Sequence, residues 1–338
     1  MHSRLPPLVS VVVPVFNEAQ VIHEFHQRIS KVAEQEEDCH YRIIYVDDGS
    51  IDGSGQILHK IAQMDARVRV IRLSRNFGHQ PALTAGLDYA EGDAVVFIDA
   101  DLQDPPEVIP RLVEKWQEGF DVVYARRLRR HGESRMKRLT AKGFYQFIAS
   151  ISQVQIPQDV GDFRLISKKV ADQLRSMRER DRYLRGLSSW VGFRQTAVDY
   201  DRDQRFAGDT KYSYRKMLKF AADGITSFSN APLKLATWFG FGTAFLSFLY
   251  LLSVFVQKFM GYTVDGWATI MVAILFVGGI QLICLGIFGA YLGRVFNEVK
   301  ARPIYIVDET LEPQPDVLTL SLKQDSIVSA GRPAQLEN

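Results

Sequence analysis

Apolar runs of strand length recur in the first part of the chain: Val9–Val13, Ile43–Val46, Val68–Leu73, Ala94–Ile98 and Val122–Ala125. Between them lie segments of helical periodicity, such as Ile57–Met64 and Pro81–Ala90, the second closed by Gly92 as a C′ residue. The alternation predicts an α/β domain in which a mostly parallel sheet is covered by helices. Ligands of such sheets bind beyond the carboxyl ends of the strands, so candidate chemistry is sought there.

Two longer apolar stretches, Leu235–Gln257 and Trp267–Gly293, carry no charged residue. At ~1.5 Å rise per residue each exceeds the ~30 Å hydrocarbon core of a bilayer as a helix. The first holds twelve Leu, Phe and Val residues, which together favour insertion by about several kcal/mol. Only Lys258–Gly266 separates the two, so they form a hairpin with both outer ends on one side. Lys211, Arg215, Lys216, Lys219 and Lys234 precede it and Arg294, Lys300 and Arg302 follow it, whereas the connecting loop carries Lys258 and Asp265. By the positive-inside rule the N-terminal domain and the C-terminal tail are cytoplasmic. Tyr212–Ser229 mixes bases with apolar residues at near-helical spacing, which predicts an amphipathic helix at the membrane interface. The expected organisation is a catalytic domain over 1–210, an interfacial segment over 211–232, a transmembrane hairpin over 233–294, and a partly disordered tail over 295–338.

Composition narrows the partners. Lys and Arg outnumber Asp and Glu by only 41 to 39 among 338 residues, a balance that argues against a nucleic-acid partner. The bases are clustered, however: eight lie between Arg126 and Lys142, against the single acid Glu133. Cys39 and Cys284 are far apart and fit neither a disulfide framework nor a metal spacing. No G-x-G-x-x-G follows a strand and no G-x-x-x-x-G-K-[ST] occurs, so neither a dinucleotide fold nor a P-loop is supported. The N-terminus lacks the apolar core and cleavage site of a signal peptide.

Three strand ends carry acids or amides: Asn17-Glu18, Asp47-Asp48-Gly49-Ser50 and Asp99-Ala-Asp101. Two apart on an extended backbone, Asp99 and Asp101 would leave the same face with Cα atoms ~6.6 Å apart. Paired carboxylates in one cleft repel unless a proton or cation lies between them. A hard divalent ion, Mg²⁺ or Mn²⁺, suits such an oxygen site, with Gln103 adding a carbonyl if the strand continues. Asp104-Pro105-Pro106-Glu107 instead has the form of an N-cap, a helix-opening proline and a capping-box glutamate. Further on, Arg205 and Lys211 flank a glycine, a pair that reads either as a clamp on a departing diphosphate or as a basic surface turn near a membrane.

Taken in order, VSVVVPVFNE, YVDDGSIDGS, NFGHQPAL, FIDADLQDPPE, GDFRLIS and RFAGDTKYS resemble the inverting family-2 glycosyltransferases of GT-A fold. The likeness is strongest to the polyisoprenyl-phosphate glycosyltransferases, and the C-terminal hairpin matches their bactoprenol glucosyltransferase branch. The resemblance implies that Pro14, Glu18 and Asp47 contact the donor nucleoside and that Asp99, Asp101 and Gln103 hold Mg²⁺ or Mn²⁺. It places Arg205 and Lys211 on the donor phosphates and Asp162 as the candidate catalytic aspartate. Arg127 falls where the family has a base for the acceptor phosphate; the Ala-Arg-Arg here leaves Arg126 as the alternative, with Arg138 in the basic segment that follows. Asn76 and His79 are expected to shape their loop.

The implied reaction transfers a sugar, glucose from UDP-glucose, to a polyprenyl phosphate such as undecaprenyl phosphate in the bilayer. GDP-mannose and a UDP-aminopentose remain alternative donors. A phosphate monoester is largely a dianion at neutral pH, its second pKa lying near ~6, so the acceptor needs little help from a base. That weakens the case for Asp162 as a base, the alternative being that it orients the acceptor, a sugar hydroxyl or a basic side chain, and electrostatics are expected to dominate. A processive polysaccharide synthase would carry Q-x-x-R-W and more spans, neither of which is found. The rival of another class is a non-enzymatic membrane scaffold. Interfacial helices beside short hairpins also point to a homo-oligomer.

Overall fold

Val9, Val11 and Val13 of strand β1 (Leu8–Val15) are fully buried in one apolar cluster, and Val12 between them is fully buried in another. Successive side chains of a strand leave opposite faces, so a run of valines reports a strand covered on both sides. The computed structural model describes residues 6–128, 160–180, 182–201, 231–261 and 266–312. One compact unit holds the sheet together with residues from Pro303 onward, and a second holds the helical hairpin.

In the first unit β1 is followed by α1 (Ile22–Gln35), β2 (His40–Asp47), α2 (Ser54–Met64), β3 (Val68–Leu73), α3 (His79–Tyr89) and β4 (Ala94–Phe97). A 3₁₀ turn (Pro106–Val108), α4 (Ile109–Gln117), β5 (Val122–Arg127), β6 (Val160–Ser167), α5 (Lys168–Ser176), α6 (Leu184–Trp190) and β7 (Gln195–Tyr200) come next. The last strand, β8 (Val307–Leu311), lies beyond the hairpin in sequence. All eight strands form one sheet in the order β7-β5-β6-β4-β1-β2-β3-β8. The pairs β1–β2, β1–β4, β2–β3 and β5–β7 are parallel, whereas β6 runs antiparallel to β4 and β5, and β8 antiparallel to β3. Because β6 is reversed, its beginning lies at the edge where β1 to β5 and β7 end. Asp162 thereby joins the carboxyl-terminal edge.

Helices cover both faces. Ile22, Phe25 and Ile29 of α1, Leu58 of α2 and Leu112 of α4 pack on one cluster. Leu83 and Ala85 of α3, Val170 and Leu174 of α5 and Leu187 of α6 pack on the other. Each fully buried Val, Leu or Phe contributes about 1.5–3 kcal/mol relative to an exposed one. Close approach is built in at two glycines. A Cβ on Gly86 of α3 would stand 2.1 Å from Val12 Cγ1, and one on Gly92, at φ +96°, would stand 2.4 Å from the Leu8 carbonyl oxygen. Helix α3 runs from His79 to Tyr89 with Ala90 as an extended C-cap, so Gly92 stands one position beyond the expected C′ and its left-handed φ serves the turn into β4.

The hairpin consists of α7 (Ala231–Phe259) and α8 (Trp267–Val299), each longer than the uncharged stretch that predicts it. Both are long and apolar enough to cross a membrane, over Ala236–Gln257 and Phe276–Val299, and those windows are wholly unburied. Phe241 is 70% and Leu282 71% exposed, and such surface on a helix is stable in lipid rather than in water. Ala236, Gly240 and Ala244 of α7 line one groove with Gln281 and Cys284 of α8, and Cys284 Sγ lies 3.6 Å from the Ala236 carbonyl. Small residues permit this close approach.

The segment expected as a partly disordered tail holds regular structure. The segment after the hairpin is not wholly a loose tail: α8 continues to Val299, and Val307–Leu311 adds an edge strand to the sheet. The predicted interfacial helix, Tyr212–Ser229, lies outside the described residues, and the last two positions of the 211–232 segment open α7.

Candidate functional site

The loops at the carboxyl-terminal edge are tied to one another strand by strand. Beyond β1, Asn17 takes a left-handed φ of 57°, and its backbone N–H donates to Ser50 Oγ at 3.0 Å. The N–H groups of Glu18 and Ala19 donate to Ser54 Oγ and Asp52 Oδ2, and Asn17 Oδ1 accepts from the Ile51 N–H. These bonds lace the β1 loop to the β2 loop. At the end of β2, Asp47 is fully buried; its Oδ1 accepts the Ser50 N–H at 2.9 Å, while Oδ2 has no hydrogen-bond partner among the described residues. Pro14 is buried beside it, paired with Val46 across the ladder. Asp48 reaches the next loop, accepting from the N–H groups of Phe77 and Gly78 at 2.7 and 2.9 Å. Burial pushes the Asp48 pKa up against the pull of those two bonds.

His79, the first residue of α3, carries the chain of contacts onward. Its Nε2 lies 2.8 Å from Asp99 Oδ1 and its Nδ1 lies 4.0 Å from Asp162 Oδ2. Burial alone would lower the imidazole pKa, but the bond to Asp99 and the charges of Asp99 and Asp162 outweigh it and push the value up to about 9. Asp162 also receives Arg185 Nη2 of α6 at 3.2 Å, and Arg164 Nη2 lies 3.8 Å from its Oδ1. Burial would raise the Asp162 pKa, but Arg185, Arg164 and His79 hold it below the usual carboxylate range. Asp162 is therefore a fixed carboxylate at neutral pH. Its Oδ1 accepts no hydrogen bond among the described residues. Arg164, 2% exposed, turns back to donate to the Gly161 carbonyl at 2.7 Å, which holds the strand segment that presents Asp162.

The acidic stretch after β4 has a different shape from the one its spacing predicts. The strand ends at Phe97, its last ladder-like bond being Ile98 N–H to the Val12 carbonyl, and residues 99–104 form a turn. Leu102 is buried with a left-handed φ of 58°. Asp99, Asp101 and Gln103 therefore share a turn rather than one face of an extended strand, and Gln103 donates its backbone N–H to Asp101 Oδ1 at 3.1 Å. Asp104 is also corrected: it caps no helix. The residue before the 3₁₀ turn is Pro105, without a side-chain cap, and Asp104 accepts from Arg127 Nη2 at 3.0 Å and from the Tyr200 hydroxyl. Nor is Glu107 a capping-box residue; its carboxylate pairs with Arg28 at 2.7 and 2.8 Å. A buried Asp104, 1% exposed, finds a guanidinium partner in preference to a cap because an unpaired buried carboxylate costs more.

A profile described as Glycosyl transferase family 2 matches residues 10–175, and one described as GtrB C-terminal hairpin matches residues 231–295. A glycosyltransferase of Bacillus subtilis, YkcC, is 49% identical over 89% of this chain and 93% of its own length. The prophage bactoprenol glucosyl transferase homolog of Escherichia coli is 43% identical over 88% of this chain and 98% of its own length. The bactoprenol glucosyl transferase of Shigella phage SfII is 43% identical over 91% and 99%. The chain belongs to the family 2 glycosyltransferases.

Of the residues singled out in this glycosyltransferase, the structure brings Asp99 and Asp162 together through His79, with Asp101 and Gln103 on the same turn as Asp99. Pro14, Glu18 and Asp47 lie on the adjoining β1 and β2 ends. Arg127 sits farther along the edge, half-engaged by Asp104 and Tyr200, and burial is outweighed by those partners in holding its pKa above the ordinary value. Arg126 pairs with Asp199 at the surface. Arg138, Arg205 and Lys211 lie outside the described residues. Sequence reasoning missed Arg164 and Arg185. A signal for Arg164 was present: an arginine two positions after Asp162 in an apolar strand shares its face and must be buried with a partner. Among the described residues no group of three or more acids, histidines or cysteines is gathered to hold a metal ion; the carboxylate oxygens of Asp99 and Asp101 are of the kind a hard divalent ion takes, and Asp99 Oδ1 is engaged by His79 at 2.8 Å.

Proposed function

We propose that this glycosyltransferase moves glucose from UDP-glucose to a polyprenyl phosphate, undecaprenyl phosphate in a bacterial membrane, with inversion at the anomeric carbon. The support is the 43% identity to bactoprenol glucosyl transferases along nearly the whole chain, hairpin included. The observation that carries the chemistry is the Asp99–His79–Asp162 constellation at the edge where ligands of such sheets bind. Its catalytic domain works on the cytoplasmic side of the membrane, and the protein works as a homo-oligomer.

In this reading Asp47, whose buried Oδ2 accepts no hydrogen bond among the described residues and lies 3.9 Å from Arg72 Nε, accepts an N–H of the donor base beside Pro14 and Glu18. Asp99 and Asp101, with Gln103, would hold Mg²⁺ or Mn²⁺, which when bound neutralises charge on the donor diphosphate. Arg205 and Lys211 bind that diphosphate, and Arg127 binds the acceptor phosphate, with Arg126 and Arg138 supplying basic surroundings. The acceptor attacks as a dianion without prior proton removal. Asp162, held ionised by Arg185 and Arg164, orients a hydroxyl of the sugar through Oδ1, which accepts no hydrogen bond among the described residues.

Purified protein supplied with undecaprenyl phosphate and radiolabelled UDP-glucose, with and without Mn²⁺, tests the proposal. A labelled, organic-extractable lipid product that requires metal is the expected result, with GDP-mannose and UDP-aminopentose inactive. Transfer from another nucleotide sugar would overturn the donor assignment, and no transfer from any would leave a membrane scaffold.

A further inference from the structure

One guanidinium at the edge is pinned on two sides and open on the third. Arg127 Nε donates to the Tyr200 hydroxyl at 3.0 Å, and Nη2 donates to Asp104 Oδ2 and Oδ1 at 3.0 and 3.3 Å. The Tyr200 hydroxyl in turn donates to Asp104 Oδ1. Both holding residues are buried, Asp104 at 1% and Tyr200 at 3% exposure, and the Tyr200 ring is itself fixed edge-on against Phe163 at 5.8 Å. Nη1 has no partner among the described residues, and the Arg127 side chain keeps 23% of its surface exposed. Gly161, directly before Asp162, completes the frame: a Cβ there would stand 2.7 Å from Arg127 Nη2 and 3.2 Å from Cζ.

An arginine has five N–H donors in a rigid plane, so fixing Nε and Nη2 fixes where the remaining pair points. We infer that Asp104, Tyr200 and Gly161 are positioning residues that aim Arg127 Nη1 at the phosphate of the lipid acceptor. This rests on the proposed role of Arg127 as an acceptor-phosphate residue. Asp104 neutralises the guanidinium overall, so the contribution is directional: two N–H groups held where a phosphate oxygen will lie, one residue away from the backbone that presents Asp162. The alternative source of phosphate at this position is the donor diphosphate, and the two are separable by which KM responds.

The test uses the full-length enzyme with UDP-glucose and undecaprenyl phosphate, measuring both KM values, kcat and thermal stability. Arg127→Lys keeps the charge but loses the planar fork and serves as the reference. Tyr200→Phe removes one bond to the guanidinium, and Gly161→Ala pushes its flexible end aside without burying a polar group. Each of the three should raise the lipid KM about ten-fold, the size expected for one misdirected charge-assisted hydrogen bond, and leave the UDP-glucose KM within about two-fold. In the Arg127→Lys background Gly161→Ala should add nothing, because lysine has no Nη2 to displace. The inference fails if Tyr200→Phe and Gly161→Ala leave the lipid KM unchanged while Arg127→Lys raises it, if the donor KM moves instead, or if the Gly161→Ala effect persists in the lysine background. An unchanged lipid KM in Arg127→Lys would remove the acceptor role of Arg127 and the inference with it.

Discussion

His79 Nε2 lies 2.8 Å from Asp99 Oδ1 while its Nδ1 lies 4.0 Å from Asp162 Oδ2, so one imidazole spans acids presented by two strands of opposite direction. Its pKa, pulled down by burial, is pushed up to about 9 by Asp99 and then Asp162. The stabilisation this bridge supplies is therefore fully present below the unfolded value of ~6.5 and is lost as pH rises through about 9. With 43% of the imidazole exposed the effect is screened and small. In metal-free protein, the melting temperature should fall by up to ~3 °C between pH 6.5 and 9 through this bridge, and His79→Gln should lack that component. Identical pH dependence in the two proteins would refute the bridge.

Asp162 is expected to orient rather than to abstract a proton. Asp162→Asn should lower kcat by about 100-fold or more, the scale of a lost electrostatic contact at a reacting centre, and raising the pH should not restore it. Recovery that follows deprotonation of the acceptor would favour a general base instead. Arg185→Gln gives the complementary signature. Loss of its charge lets burial raise the Asp162 pKa, so the acid limb of the pH–rate profile should move to higher pH. An unmoved limb would show that Arg185 does not hold the carboxylate.

Asp99→Asn and Asp101→Asn should each abolish glucose transfer by removing a charged oxygen ligand. The informative measurement is a Mn²⁺ titration alongside turnover, with chelator-treated wild type as the reference. Near-normal turnover with ordinary metal dependence in either variant would end the metal assignment to this turn.

Different parts of the site were legible in the sequence for different physical reasons. The five parallel strands and their polar ends could be read because two-sided burial demands unbroken apolar runs, as in Val9–Val13. Asp99 and Asp101 could be picked out as acids at a strand end, but their geometry could not. Period-two reasoning holds only while the backbone is extended, and here the strand stops at Phe97 and the chain reverses through Leu102. Asp104 followed the local rule for a cap, yet a guanidinium donated from another strand outcompeted the local role. Such a partnership leaves no mark in the spacing of either segment, and the same holds for the tie between His79 and Asp99. The reversal of β6, which delivers Asp162 to the edge, is likewise absent from an apolar pattern that parallel and antiparallel central strands share.

The strand β8 escaped detection because an edge strand is half polar, and Val-Asp-Glu-Thr-Leu is indistinguishable from a tail by hydrophobicity. Its contacts are nevertheless specific. It covers the outer edge of β3 from Val70–Leu311 to Leu73–Val307, the Ser74 N–H donates to the Ile306 carbonyl at 3.0 Å, and the Tyr305 hydroxyl donates to Asp88 at 2.7 Å. Arg69, only 8% exposed, gains Glu312 at 2.7 Å in addition to Glu91 at 3.3 Å. Ending the chain after Arg302 would strip the partner from β3, expose a row of backbone donors and acceptors, and leave Arg69 with weaker compensation. Tyr305→Phe should cost about 1 kcal/mol, a single hydrogen bond, whereas the truncated protein should melt more than ~5 °C lower and scatter light on standing. The point variant separates loss of the anchor from loss of the edge cover. A truncated protein that melts with the wild type and stays monodisperse would show that the sheet does not need this strand.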